Sequence, residues 1–88
     1  MATYLIRNNT NQTIELLDAN DGVKTVILSA GEAVHFAPVT INRVKVDTTI
    51  YKREMAGLSH DRSYSVIFEK GDVVFVDDPS HKVVYKRQ

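Results

Sequence analysis

The sequence predicts an all-β fold: one small domain over residues 1–88, arranged as a β-sandwich or barrel of seven or eight short antiparallel strands. Three observations carry that expectation. Apolar and polar side chains alternate in short runs, the two-residue period of a strand with one face buried. Asn, Asp, Gly and Pro interrupt those runs at intervals of about 8–12 residues, the turn spacing of sandwiches and barrels. A chain of 88 residues supports one hydrophobic core and is too short for two.

Thr3 to Arg7 and Thr13 to Leu17 read as two strands joined into a hairpin by Asn8-Asn9-Thr10-Asn11. Asn suits the reversal because it tolerates positive φ and its side chain bonds nearby backbone groups. Asp21-Gly22 favours a type I′ turn into Val23 to Leu28, completing a three-strand meander. Ser29-Ala30-Gly31-Glu32 reverses the chain again, and Ala33 to Phe36 forms a short strand that Pro38 ends. Ile41 to Val46 is a half-exposed strand, with Val44 and Val46 on one face and Arg43 and Lys45 on the other.

Residues 51–56 contain helix formers ahead of Gly57, so they suit at most one helical turn, or equally a wide loop. Tyr64, Val66 and Phe68 then alternate with Ser65, Ile67 and Glu69. Lys70-Gly71-Asp72 folds this strand back onto Val73 to Val76, the strongest hairpin signal in the chain. Asp77-Asp78-Pro79-Ser80 is the last turn, and Lys82 to Lys86 the last strand. Val73 to Val76 and Val83-Val84-Tyr85 are apolar on both faces, as in a central strand or in an edge that pairs with another molecule.

With 43% hydrophobic and 25% charged residues the composition is globular, outside the disordered, collagenous and membrane classes. No apolar run approaches the ~18 residues of a membrane span, and no basic leader with a long apolar segment opens the chain. Neither a membrane partner nor export is expected. Without Cys, disulfides and thiolate metal sites cannot support so small a core. Packing, self-association or docking must do so, and an intracellular origin is expected. Eleven basic and eleven acidic residues cancel and alternate along the chain, so no global field draws in nucleic acid or anionic lipid.

No catalytic or cofactor site is expected. His35, His60 and His81 lie 25 and 21 residues apart, without the close pairing of metal ligands. Asp77, Asp78 and His81 form an acidic-plus-His cluster able in principle to hold a divalent ion or orient a base. Asp-Asp-Pro-Ser is also what a tight turn requires, and that reading is preferred. Asp18 to Gly22 falls out of register with a calcium loop, with Ser29 where the bidentate Glu belongs. No Ser stands in an activating frame, and the four glycines are scattered singly. Asn8-Asn9-Thr10 and Asn11-Gln12-Thr13 match glycosylation acceptors, but turn composition accounts for them.

Arg43, Lys45, Tyr51 and Arg53, with Lys52 and Arg62, come nearest to a nucleic-acid surface, offering cations to phosphates and a ring for stacking. Asp47, Glu54 and Asp61 stand among them, so a solvated mixed-charge face is preferred and a nucleic-acid-binding barrel is the alternative. Lys82, Lys86 and Arg87 read as guards against edge-to-edge aggregation.

The segment Tyr4 to Leu16, followed by Val26-Ile27-Leu28-Ser29-Ala30-Gly31-Glu32-Ala33-Val34, resembles the start of small β-rich virion proteins of tailed bacteriophages. There a strand, an Asn/Thr turn, a second strand and a Leu-x-x-Gly-Glu-x-Val corner recur. The resemblance covers roughly the first third of the chain and transfers no functional residues. It implies a structural protein of a phage particle, a head decoration, connector or tail component made in the host cytoplasm. Such a protein assembles with its own copies or with a larger virion protein. On the C-terminal hairpin, Phe75, Val83 and Tyr85 are the expected anchors of that contact, since aromatic residues concentrate interface energy, unless they fill the domain's own core. A bacterial cytoplasmic inhibitor of a host enzyme is a further alternative.

Overall fold

The computed structural model describes residues 4–18, 25–36, 41–54, 62–78 and 81–88. Nine strands occupy them: β1 (Tyr4–Asn8), β2 (Ile14–Asp18), β3 (Thr25–Leu28), β4 (Ala33–Phe36), β5 (Ile41–Val46), β6 (Thr49–Arg53), β7 (Ser63–Glu69), β8 (Asp72–Asp78) and β9 (His81–Arg87). They form one sheet in the order β3-β2-β5-β6-β9-β8-β7-β1-β4, curled into a nearly closed barrel. The all-β expectation holds, with nine strands in place of seven or eight and one pair, β1 with β7, running parallel.

Strand parity builds the core. On β5, Val44 and Val46 point inward and are buried while Arg43 points to solvent. The same alternation turns Ile14 and Leu16 of β2, Tyr64 and Val66 of β7, and Val83 and Tyr85 of β9 into one cluster with Ile6, Leu28, Val73 and Phe75. Each such side chain, removed from water, contributes about 1.5–3 kcal/mol to folding. At the centre the rings of Phe75 and Tyr85 meet edge to face with centroids 5.0 Å apart, and the Tyr85 hydroxyl donates to the carbonyl oxygen of Ile41. That bond ties β9 to the start of β5 and satisfies a polar atom that burial would otherwise penalise.

Two local expectations change. Residues 51–53 belong to β6, so no helical turn begins at Tyr51; residues 55 and 56 lie outside the described residues. The run Thr49-Ile50-Tyr51 is β-branched and aromatic, and β6 lies between β5 and β9 with both of its edges paired. Pairing of that kind overrides the helix propensity of Lys52 and Arg53. The first two strands do not form a hairpin either: β1 pairs with β4 and β7, and β2 with β3 and β5. Of the expected three-strand meander only the β2–β3 pair is found, and the other neighbour of β2 is β5.

Asn8-Asn9-Thr10 turns instead into a buried corner. Asn8 has no exposed surface; its Oδ1 accepts from Thr10 N (2.9 Å) and Thr10 Oγ1 (2.6 Å), the side-chain turn that Asx residues make. Its Nδ2 donates to the carbonyls of Gln12 (2.7 Å) and Leu28 (3.0 Å). The β7–β8 hairpin is as predicted: Lys70 and Gly71 take φ of 55° and 82°, the paired positive values of a type I′ turn. The expected turns at Asp21-Gly22 and Pro79-Ser80, the strand end at Pro38, and His60 lie outside the described residues.

Candidate functional site

The place where the barrel fails to close is its most distinctive surface. β3 and β4 follow one another in sequence, yet they are the two ends of the sheet order and share no ladder. The Ser29–Glu32 turn between them is held twice, by Glu32 N donating to Ser29 O (3.0 Å) and Ser29 N donating to Glu32 Oε1 (2.9 Å). Gly31 carries the turn with φ of 81° and donates its N–H to Asn8 O at 2.7 Å. Away from this apex, among the described residues each strand is paired along one side only, β3 with β2 and β4 with β1.

The core reaches that seam through two half-buried valines. The inward-facing Val26 of β3 and Val34 of β4 are partly buried hydrophobics packed against the core cluster. On the outer side of β3, Ile27 is 60% exposed. An unpaired N–H and C=O row beside an exposed apolar side chain is a template for another strand.

The residues expected to anchor a partner lie elsewhere. Phe75 and Tyr85 have no exposed surface and Val83 is 8% exposed. In the single chain they fill its own core, the alternative reading of the sequence, because parity on β8 and β9 turns all three inward. The apolar runs on these strands do put hydrophobic residues outside as well: Ile67, Val74 and Val84 stand side by side across β7, β8 and β9. Val74 is nonetheless buried. The Lys82 ammonium and Glu69 carboxylate reach over β8 to meet at 2.8 and 2.9 Å, and with Val74 and Val84 they line a shallow depression of about 240 Å³.

The four residues of the nucleic-acid alternative are divided between the two faces of the sheet. Arg43 and Lys45 point outward, Lys45 within 3.8 Å of Glu15. Tyr51 is only 6% exposed and belongs to the core, which removes it as a stacking platform, and Arg53 shares its inward parity. What replaces them is a row missed in sequence: Arg43 stands directly opposite Lys52 on β6, and Lys52 directly opposite Lys86 on β9. Among the described residues none of these three makes an ion pair. The interspersed charges of the chain are thus sorted by folding into a basic stripe across three strands.

Asp77, Asp78 and His81 do come together, with one donor atom from each inside a 4.8 Å group. Two carboxylates and an imidazole are a plausible donor set for a divalent ion. Arg62, however, already forms an ion pair with Asp77, whose hydrogen bond raises the guanidinium pKa, and His81 Nδ1 lies 3.4 Å from Asp78 Oδ1. At the opposite end of the barrel, between the β5–β6 and β7–β8 turns, a concavity of about 380 Å³ is walled by Asp47, Tyr51, Phe68 and Arg87. No family model matches the chain, and neither a curated protein nor a solved structure shows similarity to it.

Proposed function

We propose that the protein is a non-catalytic assembly module, a component of a phage particle of the kind its first third resembles, joining other proteins through its unpaired sheet edges. The supporting observation is the seam: two strand edges that pair with no further strand among the described residues, beside the half-buried Val26 and Val34. A strand supplied by another protein gives those edges their missing hydrogen bonds and covers the valines. A small domain without disulfides is stabilised by mass action when it docks. A photoreactive residue at position 27 or 35 tests this in the cells that make the protein. Covalent protein adducts are expected at both positions and not at the exposed control position 11; equal background at all three sinks the reading.

A second reading rests on the Arg43–Lys52–Lys86 row. Three cations held side by side attract a polyanion, and a nucleic-acid backbone is the nearest fit, with Glu54, which shares a depression with Lys86, offsetting part of that attraction. The row belongs to the outer face of β5, β6 and β9, which β2 separates from the β3 edge, so the two readings are separable by substitution.

A further inference from the structure

The geometry points to a small-molecule site in the open end of the barrel. The concavity between the β5–β6 and β7–β8 turns takes a zwitterion with an aromatic body, an aromatic α-amino acid, whose carboxylate is bound by Arg87 and whose ammonium group is bound by Asp47. None of its lining residues belongs to β3 or β4, so the inference does not rest on the assembly reading.

Strand parity aims the side chains. Along β5, β6, β7 and β9 every second residue turns inward, and the inward positions nearest this end include Val46, Tyr51, Phe68 and Arg87. A strand that served only the core would carry an apolar residue in the last of these places; β9 carries Arg. Its cation does not guard an edge, the role expected from sequence, because β9 is paired on both sides, with β6 and β8. Its backbone is fixed opposite Tyr51, and the next N–H, of Gln88, donates to Ile50 O at 2.9 Å.

Three polar groups line this space with nothing to bond. Among the described residues Arg87 and Asp47 form no ion pair, either with each other or with another group, although they wall one concavity. The Tyr51 hydroxyl has no hydrogen bond among those residues either. Tyr51 is only 6% exposed, yet its oxygen is not stranded in the core: Asn42 Oδ1 is the one buried side-chain atom without a partner among the described residues. The ring is therefore buried while the hydroxyl opens into the concavity, where a buried Tyr ordinarily finds a partner. The depression over β8 makes the contrast, since Lys82 and Glu69 there satisfy one another at 2.8 and 2.9 Å.

The lining selects the ligand. A guanidinium holds a carboxylate through parallel N–H donors, and the Tyr51 hydroxyl donates to the same group. Asp47 repels a plain anion, so the molecule that satisfies both walls carries both charges. Val46 and the 37% exposed ring of Phe68 supply the apolar surface against which an aromatic side chain packs, offset or edge to face. Barrel mouths commonly hold such sites, and a volume of about 380 Å³ falls within the ~300–1,000 Å³ of ligand pockets. The concavity is open and the ligand small, so binding is expected in the millimolar range.

Amide NMR titration of the whole chain with L-phenylalanine tests the site. Saturable shifts are expected at Asp47, Thr49, Phe68 and Gly71, and none at Ile27 or His35. Hydrocinnamate, which lacks the ammonium group, and phenethylamine, which lacks the carboxylate, are each expected to bind about tenfold more weakly. Arg87→Gln is expected to weaken L-phenylalanine about tenfold, and Asp47→Asn to reduce it to the level of hydrocinnamate while leaving hydrocinnamate no weaker. Both positions are exposed, and Asn suits the φ of 56° at position 47, so both variants keep the fold. Absence of saturable shifts at the mouth overturns the site. Equal binding of L-phenylalanine and hydrocinnamate by the unaltered protein, or an unchanged constant in Arg87→Gln or Asp47→Asn, overturns the amino-acid assignment.

Discussion

The side-chain amide of Asn8 donates a 3.0 Å hydrogen bond to the carbonyl oxygen of Leu28, joining the end of β1 to the end of β3 at the apex where the barrel comes closest to closing. The two residues are 20 apart in sequence, and both are buried. Around this bond the Asn8 backbone is bonded on both sides, its N–H to Glu32 O at 2.8 Å and its carbonyl from Gly31 N at 2.7 Å. One Asn side chain thus fixes the geometry of the β3–β4 seam.

Truncating it leaves two buried groups without partners. Asn8→Ala strands the carbonyl of Leu28 and the N–H of Thr10, while Gln12 O keeps the Thr10 hydroxyl at 3.0 Å; the substitution is expected to cost about 2–4 kcal/mol in urea unfolding followed by circular dichroism. Asn8→Asp is expected to cost more, because an oxygen then faces two carbonyl oxygens. A loss below about 1 kcal/mol would mean that the corner does not hold the apex.

The β7–β8 turn offers the opposite experiment. Lys70 sits at φ 55°, a conformation that Asn adopts more readily than Lys. Lys70→Asn creates the preferred Asn-Gly pair of a type I′ turn and is expected to stabilise by about 0.5–1 kcal/mol. Gly71→Ala is expected to destabilise by about 1 kcal/mol. Since a Cβ at Gly71 meets nothing within 4 Å, that cost is conformational and not steric. Thermal unfolding of both variants checks the sign; a neutral Gly71→Ala would contradict the positive φ.

Across β8, the hydrogen bond from Lys82 holds the Glu69 carboxyl below its usual pKa against the opposing effect of desolvation, and the charges of Lys82 and Lys70 add to the lowering. A depressed carboxylate stabilises the fold above its unfolded-state pKa, and that contribution fades as pH falls through the folded-state value. Carbon-detected titration of Glu69 is expected to show the low midpoint, to move it up in Lys82→Met, and to shrink the shift in high salt, since the pair is exposed. An unmoved midpoint in Lys82→Met would assign the shift elsewhere.

Period-two alternation made the strands legible: Val44 against Arg43, Tyr64 against Ser65, and the Lys70-Gly71 turn all follow from local chemistry. Strand order was not legible, because it depends on which edges meet after the chain has turned away. Asn8-Asn9-Thr10 carries the same local signal whether it closes a hairpin or, as found, crosses to a distant strand. Tyr51 is ambiguous for a similar reason, since helix former or strand residue is decided by the neighbours β5 and β9. Of the candidate site, the unguarded Thr25-Val26-Ile27-Leu28 could have been noticed as a strand without charge. Its place at the sheet's end could not, nor could the approach of Arg43, Lys52 and Lys86, which are 9 and 34 residues apart.

That basic row supports the last prediction. Like charges directly opposed on neighbouring strands destabilise a sheet by about 0.2–1 kcal/mol per pair, and Lys52 takes part in two such pairs. Lys52→Gln is therefore expected to raise stability by about 0.5 kcal/mol at low salt, with the gain disappearing at high salt. If the row serves a polyanion, the same substitution weakens binding of a labelled single-stranded oligonucleotide and lowers the slope of log affinity against log salt by about 0.7. Tyr51→Phe and Arg53→Gln are expected to leave binding unchanged, because both side chains have inward parity. Flat anisotropy of the unaltered protein at low salt would remove the nucleic-acid reading while leaving the stability gain in place. The cations would then be the solvated outer face of three strands whose inward faces are set by the core.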